Sequence, residues 1–438
     1  MISFNSRNLP LLLCLFLPFT YIVGILITEI FVLFLTLYFL FFNKDFKYFK
    51  YKQIIALLIF SFYIASIAVI KIDHNDLRLS SIFYFRFILL ALSINFVLTE
   101  GENKVVEFKK ILIGIFLIFL FIFFDSLYQF VIGKNFFGNE IINDRISSIF
   151  GNELILGGFL IKTLPILIWL IFYFKFEIKK NIFFLTFFFS LFLITIYLSG
   201  GRTSFGLMII LVALLIFFIK PLKKILSYSL MILLAFICLT SFFNFGKSAI
   251  FDRTVKKTFN QVTNNLFVKE DENKVSYYTL EKFKNSKKEF KSNIMIFSKD
   301  HNGHYELALD LFYKNKIFGV GPKGFRFHCR KIDYDPEIGI CSTHPHNTAI
   351  QILSETGIIG FLFYIVVILF LLFNLFKYNN KNLETNQKCK FLLISLAILV
   401  NLFPFLPSGN FFNNWISIIT FYLFGLYFYS YINLKKYD

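Results

Sequence analysis

Five of the six histidines in this 438-residue chain fall between positions 301 and 346: His301, His304, His328, His344 and His346. A neutral imidazole titrates near working pH, so one of them could act as a general base with the others as helpers. The stretches "HNGH" and "HPH" lack a C-x-x-C or H-E-x-x-H partner, so no metal site is expected. His301, His304 and His328 read equally well as solvated loop histidines. His346 stands apart because of the residues after it. Asn347, Gln351 and Glu355 recur every four residues and share one helix face, while Ile350, Ile352 and Leu353 fall elsewhere. Gly357 is placed to end that helix. The spacing predicts a surface helix that starts at His346 and holds its imidazole at the water boundary.

The cations are the second chemical resource. Lysine outnumbers arginine 37 to 8, so an arginine marks a place where a planar, always-charged fork matters. In "SGGRTSF", Ser199, Gly200, Gly201 and Arg202 form a turn between two apolar runs, and Arg202 is the only charge there. At that level it either faces protein and ligand or snorkels to lipid phosphates. In "IFGVGPKGFRFHCR", Gly319, Gly321, Pro322 and Gly324 predict a tight turn, with Lys323, Arg326 and Arg330 at or just after it. Glycine-rich backbone beside cations suits a phosphate, although the G-K-[ST] pattern of a nucleotide loop is missing. "DRISSIFGNELILGG" offers Arg145, Asn152 and Glu153 to a cavity mouth, and Arg86 and Lys162 lie inside apolar runs. Cys329 and Cys341 share an outer loop, where oxidising conditions allow a bridge; two free thiols is the other reading.

The elements that must position these groups are membrane helices. The chain is 57% hydrophobic and only 16% charged, with 66 phenylalanines. Apolar runs of about 20 residues recur, the length that spans a bilayer. The predicted fold is an all-α polytopic membrane protein with about twelve spans: 9–24, 26–42, 53–70, 79–98, 111–132, 154–174, 182–198, 204–219, 225–244, 358–376, 391–406 and 411–431. They divide the chain into an N-terminal bundle (1–244), a large loop with a surface helix (245–357) and a C-terminal group (358–438). The net charge of +18 comes from short clusters between spans rather than one patch, so nucleic acid is not an expected partner. Short connections on one side carry 20 Lys and Arg, those on the other side 5. By the positive-inside rule both termini and Cys389 are cytoplasmic, and the loop 245–348 faces outward. The first part of that loop, to about 300, is rich in Lys, Asn and Ser and reads as variable or partly helical.

Together these residues resemble the O-antigen ligase family, which includes O-antigen polymerases and protein O-oligosaccharyltransferases. "LSGGRTSF" is similar to the family's Ser-x-x-Arg turn, and one large loop follows two spans later. "NKIFGVGPKGFR" and "HPHNTAIQILSETGIIGF" are similar to two further family segments. The resemblance implies a bacterial inner-membrane enzyme with a periplasmic loop. It implies metal-independent, inverting transfer of a glycan from undecaprenyl diphosphate to an acceptor hydroxyl, such as lipid A-core, without a cofactor. His346 would activate the acceptor, with His344, Asn347, Glu355, His301 and His304 in support. Arg202 would hold the diphosphate. The family often has a second loop arginine upstream of the glycine turn, where this chain reads "KDHNGHYELALDLF". His301, Arg326 or Arg253 could stand in, with Lys323 adding charge. Ligase, polymerase and protein glycosyltransferase share these features. Outside the enzyme class, a transporter or flippase is the rival, with Arg86 and Lys162 as the basic residues inside its spans.

Overall fold

The computed structural model describes residues 8–44, 48, 50–71, 77–101, 109–243, 245–246, 249–260, 299–331, 341–381 and 383–436. The lysine-rich stretch 261–298, expected to be variable or partly helical, lies outside the described residues. The described residues form α-helices with short 3₁₀ and π turns and no named strand. In chain order they are α1 (Leu9–Phe16), α2 (Ile25–Phe42), α3 (Lys52–Ile70), α4 (Arg86–Glu100), α5 (Lys109–Ile132), α6 (Leu156–Tyr173), α7 (Ile182–Leu198), α8 (Arg202–Phe218) and α9 (Lys223–Phe242). After them come α10 (Lys299–Lys314), α11 (Phe325–Lys331), α12 (Thr348–Asn379), α13 (Thr385–Asn401) and α14 (Asn414–Lys435). A further helical stretch, 250–260, contains a π turn at Asp252–Lys256.

Among the described residues eight helices are long and apolar enough to cross a bilayer. They are α2, α3, α4 with the turn before it, α5, α6, α9, α12 and α14; Leu9–Ile22, α7 and α8 are shorter apolar helices. Helical backbone is the expected solution, because hydrocarbon offers no partner to an open N–H or C=O. The bundle has an inside and an outside. In α6 and α14, 89% of the spanning window is buried in protein, against 28% in α2, α9 and α12. The inner pair therefore sees side chains, and the outer helices present Leu, Ile and Phe to lipid. α14 packs on α4 and α13, and α13 packs on α6 and α8.

Several polar groups inside the bundle are satisfied locally. Ser126 donates to the Ile122 carbonyl at 2.7 Å, and Thr163 to that of Phe159 at 2.9 Å. Trp169 Nε1 donates to Ser430 Oγ across the α6–α14 contact at 3.1 Å. The two intramembrane cations are also engaged. Lys162 Nζ bonds Asn401 Oδ1, and Arg86 pairs with Glu29 at 3.0 Å.

Outside the bundle, α10 makes a second small core. Leu307, Ala308 and Leu311 from one helix face are buried with Val320, Phe325 and Cys329, and Ile350 packs on them. That spacing is one apolar stripe of a helix. Cys329 and Cys341 are joined by a disulfide with Cα atoms 5.4 Å apart, which ties α11 to the segment leading into α12.

Candidate functional site

The stretch from Cys341 to Gly357 forms the floor of the site. The surface helix does not start at His346. Asn347 is its N-cap, accepting from the Ile350 N–H at 3.0 Å, and the helix begins at Thr348. His346 instead sits in left-handed backbone at φ +57°, a conformation that costs a non-glycine residue and needs support. The support comes from the segment before α14. Ser408 N–H donates to the His346 carbonyl at 2.8 Å, and Asn347 Nδ2 donates to that of Pro404 at 2.7 Å. Thr348 Oγ1 donates to Ser408 Oγ at 2.8 Å.

The polar face of the surface helix is turned into protein, not toward water. Gln351 and Glu355 are fully buried and Asn347 nearly so. Gln351 accepts from the Phe411 N–H at 2.9 Å and donates to Glu355 at 3.0 Å and to Asn410 at 2.8 Å. The Glu355 carboxylate then grips the glycine turn, accepting from the backbone N–H groups of Lys323 at 2.9 Å and Phe325 at 3.1 Å. The backbones add to this clamp: Val320 and Gly321 donate to the Ser354 and Glu355 carbonyls at 3.0 and 2.9 Å. Gly357 breaks the helix at φ +67°, and a β-carbon there would lie 2.1 Å from the Ile317 carbonyl oxygen. "IFGVGPKGF" and "SETGIIG" are thus two halves of one locked contact.

Four histidines converge above it. The His346 ring lies 4.1 Å from His344, 5.2 Å from His304 and 5.6 Å from His301, centre to centre. His344 Nε2 faces the Ser408 carbonyl at 3.1 Å, and a carbonyl can only accept, so Nε2 carries the proton. Its Nδ1 then accepts from Thr343 Oγ1 at 2.9 Å. His346 Nε2 lies 2.9 Å from Ser342 Oγ. Burial, then His344, His304 and His301, pushes the pKa of His346 down to about 3. Burial, helped by His304, Arg326 and His301 and opposed by the Ser408 carbonyl, takes that of His344 to about 4. Both rings are neutral near pH 7, the form that can take a proton. Among the described residues, no group of three or more His, Cys, Asp or Glu converges as metal ligands do. His328 lies apart on α11, half-buried.

The cations separate into two groups. The first is built on Gly200. Arg253 Nε donates to the Gly200 carbonyl at 3.0 Å, and Arg202 follows two residues later at the start of α8. Arg145 packs on the same glycine, its Cγ 3.2 Å from where a β-carbon would stand. Arg253 repels both Arg145 and Arg202 electrostatically. The second group joins Lys323, Arg326 and Arg86. Burial lowers the pKa of Lys323 first, followed by Arg326 and Arg86, with Glu355 opposing. Arg326 also acts on His344. Of the four cations expected at one diphosphate, Arg253 acts on Arg202, and Arg326 acts on Lys323. Glu153 acts on Tyr21 and Asn152 is exposed.

Three parts of this site do not stand out in the sequence as belonging to it. Ser342 carries no signal beyond lying four residues before His346. The 404–410 connection has no charge, and only its Pro, Ser and Asn content marks a turn. Arg145 stands out as one of eight arginines, but its grouping with Arg202 does not.

Membrane helices around a polar loop that packs imidazoles and guanidiniums at one end define a multi-pass membrane protein with a built polar site. Residues 187–365 match the family model described as O-Antigen ligase, so this stretch of the chain is similar to that family. The match spans α7 to the first turns of α12 beyond Gly357, and so contains Arg202, Arg253 and all four clustered histidines. No curated protein matches the chain.

Proposed function

We propose that this chain is an O-antigen ligase-like glycosyltransferase that moves a glycan from undecaprenyl diphosphate to an acceptor hydroxyl at the outer face of a bacterial inner membrane. The observation that carries the proposal is the held, neutral His346, in a domain that also groups arginines at a helix start. Twelve spans with both termini cytoplasmic and a periplasmic loop complete the arrangement, with 1–244, 245–357 and 358–438 as bundle, loop and C-terminal group.

In the proposed reaction the acceptor oxygen forms a bond to the anomeric carbon while the bond from that carbon to the diphosphate breaks. Configuration inverts in the single displacement. The acceptor proton goes to His346, a contribution of roughly 10²–10⁴-fold. Ser342 Oγ, 2.9 Å from Nε2, marks a position an acceptor hydroxyl would take. His344, His301 and His304 keep His346 neutral, and the Glu355 clamp fixes its height. Arg202 and Arg253 stabilise the negative charge that grows on the leaving diphosphate, where electrostatic help is largest. No metal or cofactor is needed for this step.

The acceptor class decides between ligase, polymerase and protein glycosyltransferase. Surface lipopolysaccharide from cells with and without the gene separates them on a gel. Loss of every O-antigen band means ligase, and core carrying a single repeat means polymerase. Loss from glycoproteins alone means protein transfer. An unchanged pattern in all three would overturn the proposal and favour transport.

A further inference from the structure

Arg145 and Arg253 come from segments far apart in the chain and meet on Gly200, two residues before Arg202. Gly200 is at φ +63°, and a β-carbon on it would lie 2.6 Å from the Asp144 carbonyl oxygen and 3.2 Å from Arg145 Cγ. A side chain at 200 would therefore push the 144–145 backbone away. The glycine lets the loop before α6 close onto the turn before α8. From the other side Arg253 takes the Gly200 carbonyl. Arg145 is fixed by a bond from its guanidinium to the Leu154 carbonyl, while its Nε is buried with no hydrogen-bond partner.

The nearby acids do not neutralise the two outer arginines. Asp252 pairs with Lys256 at 2.6 Å, and Asp144 accepts from the Ala249 N–H at 3.3 Å. Among the described residues, Arg145 and Arg253 each bond only a backbone carbonyl. Burial, and then Arg253, lowers the pKa of Arg145 to about 10. Like charges gathered in a half-buried place cost free energy unless an anion joins them. Forked guanidiniums approaching from several directions suit the oxygens of a diphosphate.

We infer that Arg145 is a third ligand of the diphosphate, completing with Arg202 and Arg253 a site whose geometry depends on Gly200. The inference rests on the diphosphate donor proposed above. It also answers what replaces the loop arginine missing from "KDHNGHYELALDLF": the charge comes from the loop before α6 and from the 250–260 helix.

The test is binding of inorganic diphosphate to the purified full-length protein in detergent, read by calorimetry, with the melting temperature without ligand as a fold control. Arg145→Gln is expected to weaken binding tenfold or more. Arg145→Lys is expected to recover part of it. Lys134→Gln removes one charge from the same loop, where Lys134 pairs with Glu140 in the open, and is expected to bind as the wild type does. Wild-type binding that Arg145→Gln leaves unchanged would overturn the inference and spare the donor. Equal weakening by Lys134→Gln would also overturn it, by showing only a general field. If Arg145→Gln melts early without ligand, Arg145→Lys decides. A normal melt with wild-type affinity sustains a charge role, and a normal melt with affinity as poor as that of the Arg202→Lys variant sustains a fork. A loss of fold in both Arg145 variants would overturn the inference in favour of a purely structural arginine. A wild type that binds no diphosphate would overturn this inference and the donor together.

Discussion

The two cation groups are built from the same residue types and have opposite electrical settings. Arg86, Lys323 and Arg326 stand beside Glu29 and Glu355, and each of those carboxylates is already engaged in the resting protein. Arg145 and Arg253 stand beside Arg202 and, among the described residues, bond only to carbonyls. In the first grouping a carboxylate stands beside the cations: Glu29 pairs with Arg86, and the buried Glu355 acts on Lys323 and Arg326, so removing either carboxylate leaves like charges together. On the proposed reading, like charges held together in the second grouping are offset when the diphosphate binds. A glycine turn followed by cations resembles a phosphate loop in sequence. In this chain the backbone N–H groups of Lys323 and Phe325 in that turn are spent on Glu355.

The largest effect should come from the chemical step. His346→Ala is expected to lower transfer by roughly 10²–10⁴-fold with membrane insertion unchanged, measured as glycan product per folded protein. Retention of more than a tenth of the activity would remove the base from this site.

Next, the groups should respond oppositely to loss of charge. Glu355→Ala strands two buried N–H groups and Gln351, and should cost on the order of 3 kcal/mol of stability. Melting temperature and folded yield would report it. Arg253→Gln should leave the unliganded melting temperature unchanged or slightly higher, because it relieves repulsion, while transfer falls. If Arg253→Gln destabilised the protein as much as Glu355→Ala, the distinction between the groups would collapse.

Arg202→Lys keeps the charge and loses the fork, and a fall in transfer of about tenfold is expected. Full activity would exclude two-pronged phosphate binding by that residue. Arg326→Gln, in the compensated group, should change diphosphate binding less than Arg202→Lys does.

The smallest effect is in pH. His346 and His344 titrate at about 3 and 4 in the folded protein, against about 6.5 for a free imidazole. Below about 6.5 the unfolded chain binds protons that the folded one refuses, so stability is fully present above that value and falls as pH drops toward 4. Between pH 7.5 and 5 the histidines lower stability while Glu355, whose pKa burial raises to about 7, acts in the opposite direction. His344→Gln removes part of the first effect and not the second, so its melting temperature should fall less, or rise more, than that of the wild type over this range. The acid limb of transfer should lie well below 6.5; a limb at 6.5 would show a freely solvated imidazole.

Much of this is legible in the sequence, for physical reasons. Hydrocarbon enforces long apolar runs, and among the described residues eight of the twelve expected spans fall on helices long and apolar enough to cross; Leu9–Ile22, α7, α8 and α13 are shorter helical stretches at the other four. "HPHNTAIQILSETG" carries the proposed base, the cap and the break. Periodicity places Gln351 and Glu355 on one face and cannot say that protein lies against it. Arg145 and the 404–410 connection reach the site only through pairings of distant segments, such as Arg145 with Gly200, which local pattern does not encode.

The most direct test of the central claim is a reconstituted transfer: purified wild type and His346→Ala, a glycan on undecaprenyl diphosphate, and a lipid A-core acceptor, with no added metal. The account predicts acceptor-linked glycan and free undecaprenyl diphosphate from the wild type, and neither above background from His346→Ala. Equal product from both proteins would contradict it, as would donor left intact by the wild type with every acceptor class supplied.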